Sequence, residues 1–189
     1  MKSRFFLLAL AVTFMAVGCQ KKEGAPDMAM NAKADSMKTA YKAVSDAWDA
    51  GKTDQFDKYI TTNMVDHDPM PGQKPGLAGM KDMVAMMKTS FPDMKSTVDY
   101  MGVDGDILTV RFHMAATNSG AMMGMPPTGK KVNVQGIDQM RWENGKFVEH
   151  WGVFDAMGMM QQMGLMPSHD GMPPPPDGAA MAKPEEKKK

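Results

Sequence analysis

Hydrophobic residues in the first third of the chain recur at intervals of three and four, the spacing that places them on one face of an α-helix. The pattern predicts an amphipathic helix over residues 34–50, ended by Gly51, and a third helix over residues 77–89. Between them it predicts a short second helix, whose apolar residues are Phe56, Tyr59 and Ile60. Residues 66–72 contain two prolines and a glycine, which predicts a loop.

Beyond residue 95 the apolar residues alternate with polar ones, which is typical of β-strands. Four strands are predicted, over residues 96–103, 107–117, 132–142 and 147–154. The pair Asn144-Gly145 predicts a tight hairpin, and a final helix is expected over residues 156–163. Helices followed by antiparallel strands indicate an α+β protein, in which the helices pack on one face of a curved sheet.

The amino terminus has the features of a secretory signal. Lys2 and Arg4 precede an apolar run that is too short to span about 30 Å of hydrocarbon as a permanent helix. The run ends at Gly18-Cys19, and Ala16-Val17-Gly18-Cys19 resembles the bacterial lipobox. We therefore expect residues 1–18 to be a signal peptide and Cys19 to carry lipid, which would anchor the protein in the bacterial cell envelope, on the periplasmic side of the outer membrane. A free thiol in an ordinary secreted protein is the alternative.

Polar segments flank the predicted domain on both sides. Residues 19–35 begin with a polar stretch without periodicity, which favours a flexible tether. Residues 168–189 contain four consecutive prolines and close on lysines, a composition that cannot bury a core and predicts disorder. The folded domain is thus expected over residues 36–167.

Charge and methionine content narrow the function classes. The chain has 22 basic and 22 acidic residues and no basic stripe, so nucleic-acid binding has no electrostatic support. It has 25 methionines but only three leucines after Cys19, which indicates that methionine replaces leucine in the core. The sharper alternative is copper binding, because thioethers prefer Cu(I), with Met122, Met123 and Met125 as the best candidates.

The four histidines do not form a metal motif. None is paired with another at an interval that places two ligands together, so we expect no metal site and no cofactor.

Several segments, in order, carry a family resemblance. They are "AWDAGKTDQFDKYI", "DHDPMPG", "FPDM", Pro126-Pro127-Thr128-Gly129-Lys130, Gly136-Ile137-Asp138 leading to Arg141, and "ENGKFVEHWGVFDAMGMMQQMG". Together, over about residues 36–167, they resemble the SnoaL-like polyketide cyclases. The resemblance implies the nuclear-transport-factor-2-like fold, a cone-shaped bent antiparallel sheet wrapped by about three helices. It also implies a homodimer formed through the sheet.

The resemblance also implies a chemistry, from which this sequence departs. The family's cyclases close a ring by aldol condensation, with an aspartate as acid/base in a hydrophobic cavity. That aspartate aligns with Gly152 here, and the family's helper histidine aligns with Asp138. Glycine has no group that moves a proton, so a surviving reaction needs a carboxylate from elsewhere.

Two aspartates are candidates for that carboxylate. Asp138 shares the alternating face of its strand with Val134 and Met140, and the charged form of a carboxylate in such an apolar place is disfavoured, as suits a general base. Asp155 is the other candidate, although capping of the last helix would explain it as well. His150 has the parity of Gly152, so we predict that it acts with Asp138, although a hydrogen-bonded core histidine is an equal alternative.

Other residues are predicted to bind a ligand. His67 lies in the loop expected at the mouth of the cone, and Trp48 ends the first helix, where the family has an aromatic residue against the pocket. Exposure alone would explain the histidine and packing alone the tryptophan. Gly152 and Phe154 complete the set. His113 and Arg111 have the opposite parity and are expected on the outer surface.

Three functions remain open. The first is a lipid-anchored domain that binds a small hydrophobic or cyclic ligand. The second is a working cyclase, isomerase or hydrolase that uses Asp138 and His150 as acid and base. The third is a copper-binding surface protein that uses its methionines.

Overall fold

The computed structural model describes residues 25–167. The predicted signal peptide, the predicted lipid-bearing Cys19 and the tail from residue 168 lie outside the described residues. In chain order the elements are α1 (Ala25–Ala50), a 3₁₀ helix (Thr53–Lys58), β1 (Ile60–Asp66), α2 (Gly76–Ser90), β2 (Lys95–Asp104), β3 (Ile107–Thr117), β4 (Lys131–Glu143), β5 (Lys146–Phe154) and α3 (Ala156–Gln162). None of the described helices is long and apolar enough to cross a bilayer.

Helix α1 starts earlier than the pattern predicts. It begins at Ala25, so residues 25–35, which were expected in a flexible tether, are helical. Pro26 is compatible with this start, because the first turn of a helix does not use its backbone N–H groups. The apolar stripe of the helix begins only at Met37, which is why hydrophobic periodicity missed the first turns.

The sheet contains one strand that the sequence did not predict. Residues 60–66 form β1, although Ile60 was assigned to a helix and Asp66 to a loop. The strand order is β1-β5-β4-β3-β2, and β1 runs parallel to β5 while the other neighbours are antiparallel. The α+β class is confirmed, but the sheet is mixed rather than wholly antiparallel.

Strands β3 and β4 confirm the predicted alternation. On β4 the even-numbered residues are buried apart from Asp138, whereas most of the odd-numbered ones are exposed. We call the side of the sheet that packs on α1 the inner face and the opposite side the outer face. The inner face and α1 share one core cluster, which includes Met37, Val44, Val110 and Met140.

Methionine is a main core residue of this protein. A second cluster, under the loop between β3 and β4, contains Met94, Met114, Met122, Met159 and Met163. The prediction that methionine packs the core in place of leucine is therefore confirmed. The flexible thioether chain fills irregular space between the loop, α3 and the sheet.

Asp155 caps the last helix. Its carboxylate accepts a hydrogen bond from the backbone N–H of Gly158 at 2.8 Å, which satisfies one of the free donors of the first turn of α3. Asp155 is thus explained by capping, the alternative named for it above.

Candidate functional site

A polar group lies on the otherwise apolar inner face. Asp138 sits in the middle of β4, between Val110 of β3 and Gly152 of β5. Alternation along β4 placed it on this face, and the structure has it there, with its side chain 21% exposed. A carboxylate among such neighbours needs hydrogen-bond partners, because burying an unpaired charge is costly.

Tyr41 of α1 supplies one partner. Its hydroxyl donates a hydrogen bond to Asp138 Oδ2 at 2.6 Å. Burial, the negative charge of Asp138 and this hydrogen bond raise the pKa of Tyr41 far above its usual value, so the phenol stays protonated. The helix therefore contributes a fixed hydrogen-bond donor to the site as well as apolar packing.

His150 of β5 lies between two carboxylates. Its Nδ1 is 3.1 Å from Asp66 Oδ1, and its Nε2 is 3.3 Å from Asp138 Oδ1. Burial favours the neutral ring, but the hydrogen bonds and charges of Asp138 and Asp66 outweigh it and raise the pKa of His150 to about 9. The ring is thus an imidazolium at neutral pH.

Asp66, the last residue of β1, is held from several directions. Its side chain is only 7% exposed. Oδ2 accepts a hydrogen bond from Gln73 Nε2 at 2.8 Å, and Oδ1 accepts one from the backbone N–H of Asp68 at 3.2 Å. Burial by itself would raise the pKa of Asp66, but the hydrogen bonds from His150 and Gln73 outweigh it and hold that pKa below its usual value. Asp66 is therefore an ionised, buried carboxylate.

Gly152 leaves room for the histidine ring. A Cβ atom added at this glycine would lie 2.8 Å from His150 Cε1 and 3.0 Å from His150 Nε2, both too close for a normal contact, and 3.5 Å from Asp138 Oδ1. Any side chain at position 152 would therefore enter the space that the His150 ring and the Asp138 carboxylate occupy. The backbone N–H of Gly152 donates a hydrogen bond to Asp68 Oδ2 at 3.1 Å.

His67 is not part of this group. Its ring stacks on Trp151, with centroids 4.3 Å apart, and its Nε2 lies 2.8 Å from Glu149 Oε2. Because Glu149 and Trp151 alternate with His150 along β5, His67 lies on the outer side of the sheet. The unpredicted β1 strand and its parallel pairing thus separate His67 from the inner-face group, and a ligand-binding role for His67 stays a prediction.

The two aromatic candidates are also away from the polar group. Trp48 stacks on Phe56 and packs against both core clusters, which is the packing alternative. Phe154, at the end of β5, is 38% exposed and borders a shallow groove of about 300 Å³. Arg111 and Val153 line the same groove from the outer face. A ligand-binding role for Trp48 or Phe154 stays a prediction.

The methionines proposed for copper do not share an open surface. Met122 is buried in the second cluster and Met125 packs against it, whereas Met123 is 61% exposed. The copper hypothesis thus gains no support from the geometry. Within residues 25–167, no group of three or more His, Cys, Asp or Glu side chains is placed to hold a metal ion.

Sequence reasoning missed two members of the inner-face group. Asp66 was assigned to a loop, although Ile60 and Met64 precede it at even spacing and would have indicated a buried strand face. Tyr41 lies at helical spacing within the predicted first helix, and periodicity by itself indicates packing for such a residue and gives no role to its hydroxyl.

Comparisons with known proteins agree with the fold and the order of segments. A family model described as SnoaL-like polyketide cyclase matches residues 38–163. Aklanonic acid methyl ester cyclase DauD from Streptomyces sp. (strain C5) is 26% identical over 142 residues, which cover 69% of this chain and 86% of that protein. Nogalonic acid methyl ester cyclase from Streptomyces nogalater is 23% identical over 121 residues, 62% of this chain and 90% of that one.

A solved structure has a similar fold. TsrD from Streptomyces laurentii matches with a TM-score of 0.65 and 24% identity, over 70% of this chain and 97% of its own. At that identity the likeness concerns the fold alone.

Proposed function

Because this chain belongs to the SnoaL-like polyketide cyclase family, we propose that its inner face binds a small, largely apolar carbonyl compound and that Asp138 and His150 transfer a proton on it. The observation that carries this proposal is that the Asp138 carboxylate and the His150 imidazole lie together beside Gly152, with Asp138 Oδ1 3.3 Å from His150 Nε2. A Cβ there would be 3.5 Å from Asp138 Oδ1 and 3.0 Å from His150 Nε2.

Compared with the family pattern, the carboxylate and the imidazole are exchanged between the neighbouring strands β4 and β5. The resemblance assigns a carboxylate to position 152 on β5 and a histidine to position 138 on β4. Here the carboxylate comes from β4, as Asp138, and the imidazole comes from β5, as His150. The same two chemical groups therefore meet at nearly the same place, with their strands of origin reversed.

The proposed reaction is an intramolecular aldol closure. The Asp138 carboxylate removes a proton from the carbon next to a carbonyl, and the enolate attacks a second carbonyl of the same molecule. One carbon–carbon bond forms, and the new alkoxide takes up a proton from the His150 imidazolium. The proton on Asp138 then returns to His150, so substrate and product have the same composition. A donor fixed before the reaction stabilises the developing oxyanion without reorganisation.

The two methyl esters that name the curated relatives are the first probes. We expect the protein to convert aklanonic acid methyl ester or nogalonic acid methyl ester to a product of unchanged mass and altered retention time. Asp138→Asn should lower the rate at least 100-fold, because it removes the base.

Asp99→Asn is the matched control, since Asp99 faces His113 with the same pairing chemistry at 3.0 Å on the outer face. It should leave the rate unchanged. An Asp138→Asn protein as fast as the unmodified one would refute the assignment.

Two further proposals concern the setting of the site. Lipid on Cys19 would hold the domain at the envelope, and Cys19→Ser should move the protein from the membrane fraction to the soluble fraction. A homodimer through the outer face would cover apolar side chains that are exposed in the single chain, namely Val65, Ile137 and Val153.

A further inference from the structure

Asp66 is a buried charged group that contacts His150 and has no role in the proposed reaction. It lies behind His150 as seen from Asp138, so the two carboxylates face opposite nitrogens of the same ring. It is the least exposed of the three side chains. A buried carboxylate whose charge had no partner would destabilise the folded protein.

The backbone holds Asp66 against His150. Asp66 and His150 are register partners in the parallel pair of β1 and β5, and the next residue, His67, donates its N–H to the carbonyl of His150 at 2.9 Å. The carboxylate is then oriented by Gln73 Nε2 and by the N–H of Asp68. Its position is thus set by two strands and the loop that follows β1.

The contact determines what the other side of the ring can do. A ring nitrogen that faces an ionised carboxylate keeps its hydrogen, so Nδ1 of His150 carries a proton. The proton available for chemistry is then the one on Nε2, on the side of Asp138. Two other titratable groups lie near this ring, namely the Asp68 carboxylate, which accepts from the N–H of Gly152, and the Tyr41 hydroxyl, which donates to Asp138.

We propose that Asp66 is a positioning residue, which holds the His150 ring doubly protonated and presents its Nε2–H to Asp138 and to the ligand. This inference rests on the proposed function only for its catalytic meaning, since the state of the ring is measurable without a substrate. A role confined to stabilising the β1–α2 loop would leave the titration of His150 unchanged when the charge alone is removed.

The test is an NMR pH titration of the four histidines, with His150→Gln used to assign the His150 signal. In Asp66→Asn the proton affinity of His150 should fall at least tenfold, because the amide keeps the shape but removes the charge. Asp99→Asn is the control, because Asp99 contacts His113 on the outer face and not His150, and it should leave the titration of His150 unchanged. An unchanged His150 midpoint in folded Asp66→Asn protein would overturn the inference.

A second variant keeps the inference testable if Asp66→Asn does not fold, and a kinetic measurement tests its catalytic meaning. Asp66→Ser removes the same negative charge with a smaller polar side chain and should also lower the titration midpoint of His150. With a methyl ester that the protein converts, the alkaline limit of the pH–rate profile should move down with the His150 midpoint in Asp66→Asn. An unmoved limit would overturn the catalytic meaning of Asp66. If neither ester is converted but the midpoint falls, the proposed function fails for these probes while the ring-holding role of Asp66 stands.

Discussion

Position 152 shows how much of the site depends on a single residue. Glycine there makes room for a histidine that is wedged between two aspartates. The absence of a side chain is thus a requirement of this arrangement, because a Cβ would lie only 2.8 Å from His150 Cε1.

Gly152→Ala should therefore disturb the site more than the fold. The added methyl group would push the His150 ring away from Asp66 and Asp138, which lowers the pKa of His150 towards its usual value. An NMR titration of the variant measures this, and circular dichroism should show an unchanged fold. A variant whose His150 still titrates as in the parent protein would show that the ring tolerates the methyl group.

His150 should also make stability depend on pH in the alkaline range. Its folded pKa, about 9, lies above the 6.5 of the free side chain, so its contribution is complete below pH 6.5 and is lost as pH rises through about 9. A shift of this size corresponds to about 3 kcal/mol. We expect the free energy of unfolding, from urea titrations at pH 6 and pH 10, to fall more in the parent than in His150→Gln. Equal losses in both proteins would contradict the assignment.

The face on which a single residue lies could be predicted where its strand could be predicted. Alternation along β4 placed Asp138 on the inner face because its neighbours alternate cleanly between apolar and polar types. Asp66 was harder to place, since Pro69, Pro71 and Gly72 lie shortly after β1 and mask the even spacing of the apolar residues within the strand. The pairing of Asp66 with His150 joins residues 84 positions apart in the chain, and periodicity carries no information about such contacts.

At the scale of elements, the parallel pairing of β1 with β5 brings the front half of the chain to the site. The antiparallel strands, their turns and α2 follow from local patterns, and their bounds agree with prediction to within about two residues. The pairing of β1 instead depends on how α1 and the 3₁₀ helix pack, because they precede β1 and set where the strand begins. The long loop between β3 and β4 likewise has little periodic signal and is fixed by polar contacts.

Asn118 is the residue that fixes this loop. It is 1% exposed, its Nδ2 donates to the carbonyl of Gly120, and its Oδ1 accepts from the N–H of Thr128. Asn118→Ala leaves these groups unpaired in a buried place and should destabilise the protein by about 2–4 kcal/mol. Chemical denaturation measures this, with Ser119→Ala as the control because Ser119 is exposed. A loss no larger than that of the control would refute the role of Asn118.

At the scale of the whole molecule, the two faces of the sheet differ in what they contact and expose. The inner face packs on α1 and holds the charged group, while the outer face exposes Val65, Ile137 and Val153 beside the His67–Trp151 stack. Methionine fills much of the core, and its flexible side chain tolerates irregular packing.

The proposed homodimer through the outer face can be tested at this scale. If it is the dimer interface, the double variant Ile137→Glu, Val153→Glu should be a monomer by light scattering, because charges would have to be buried there. Met157→Glu, an exposed apolar position on α3, is the matched control and should leave the dimer intact. A parent protein that is already monomeric would contradict the proposal.

The presence of an ionised group made by Asp66, His150 and Asp138 is tested most directly by nitrogen-detected NMR of His150 in the unmodified chain at pH 7.5. We expect both ring nitrogens to carry hydrogen, and the ring to lose its proton only near pH 9. A neutral ring at pH 7.5 would mean that the two carboxylates do not hold it, and neither the exchanged acid/base pair nor the role of Asp66 would then stand.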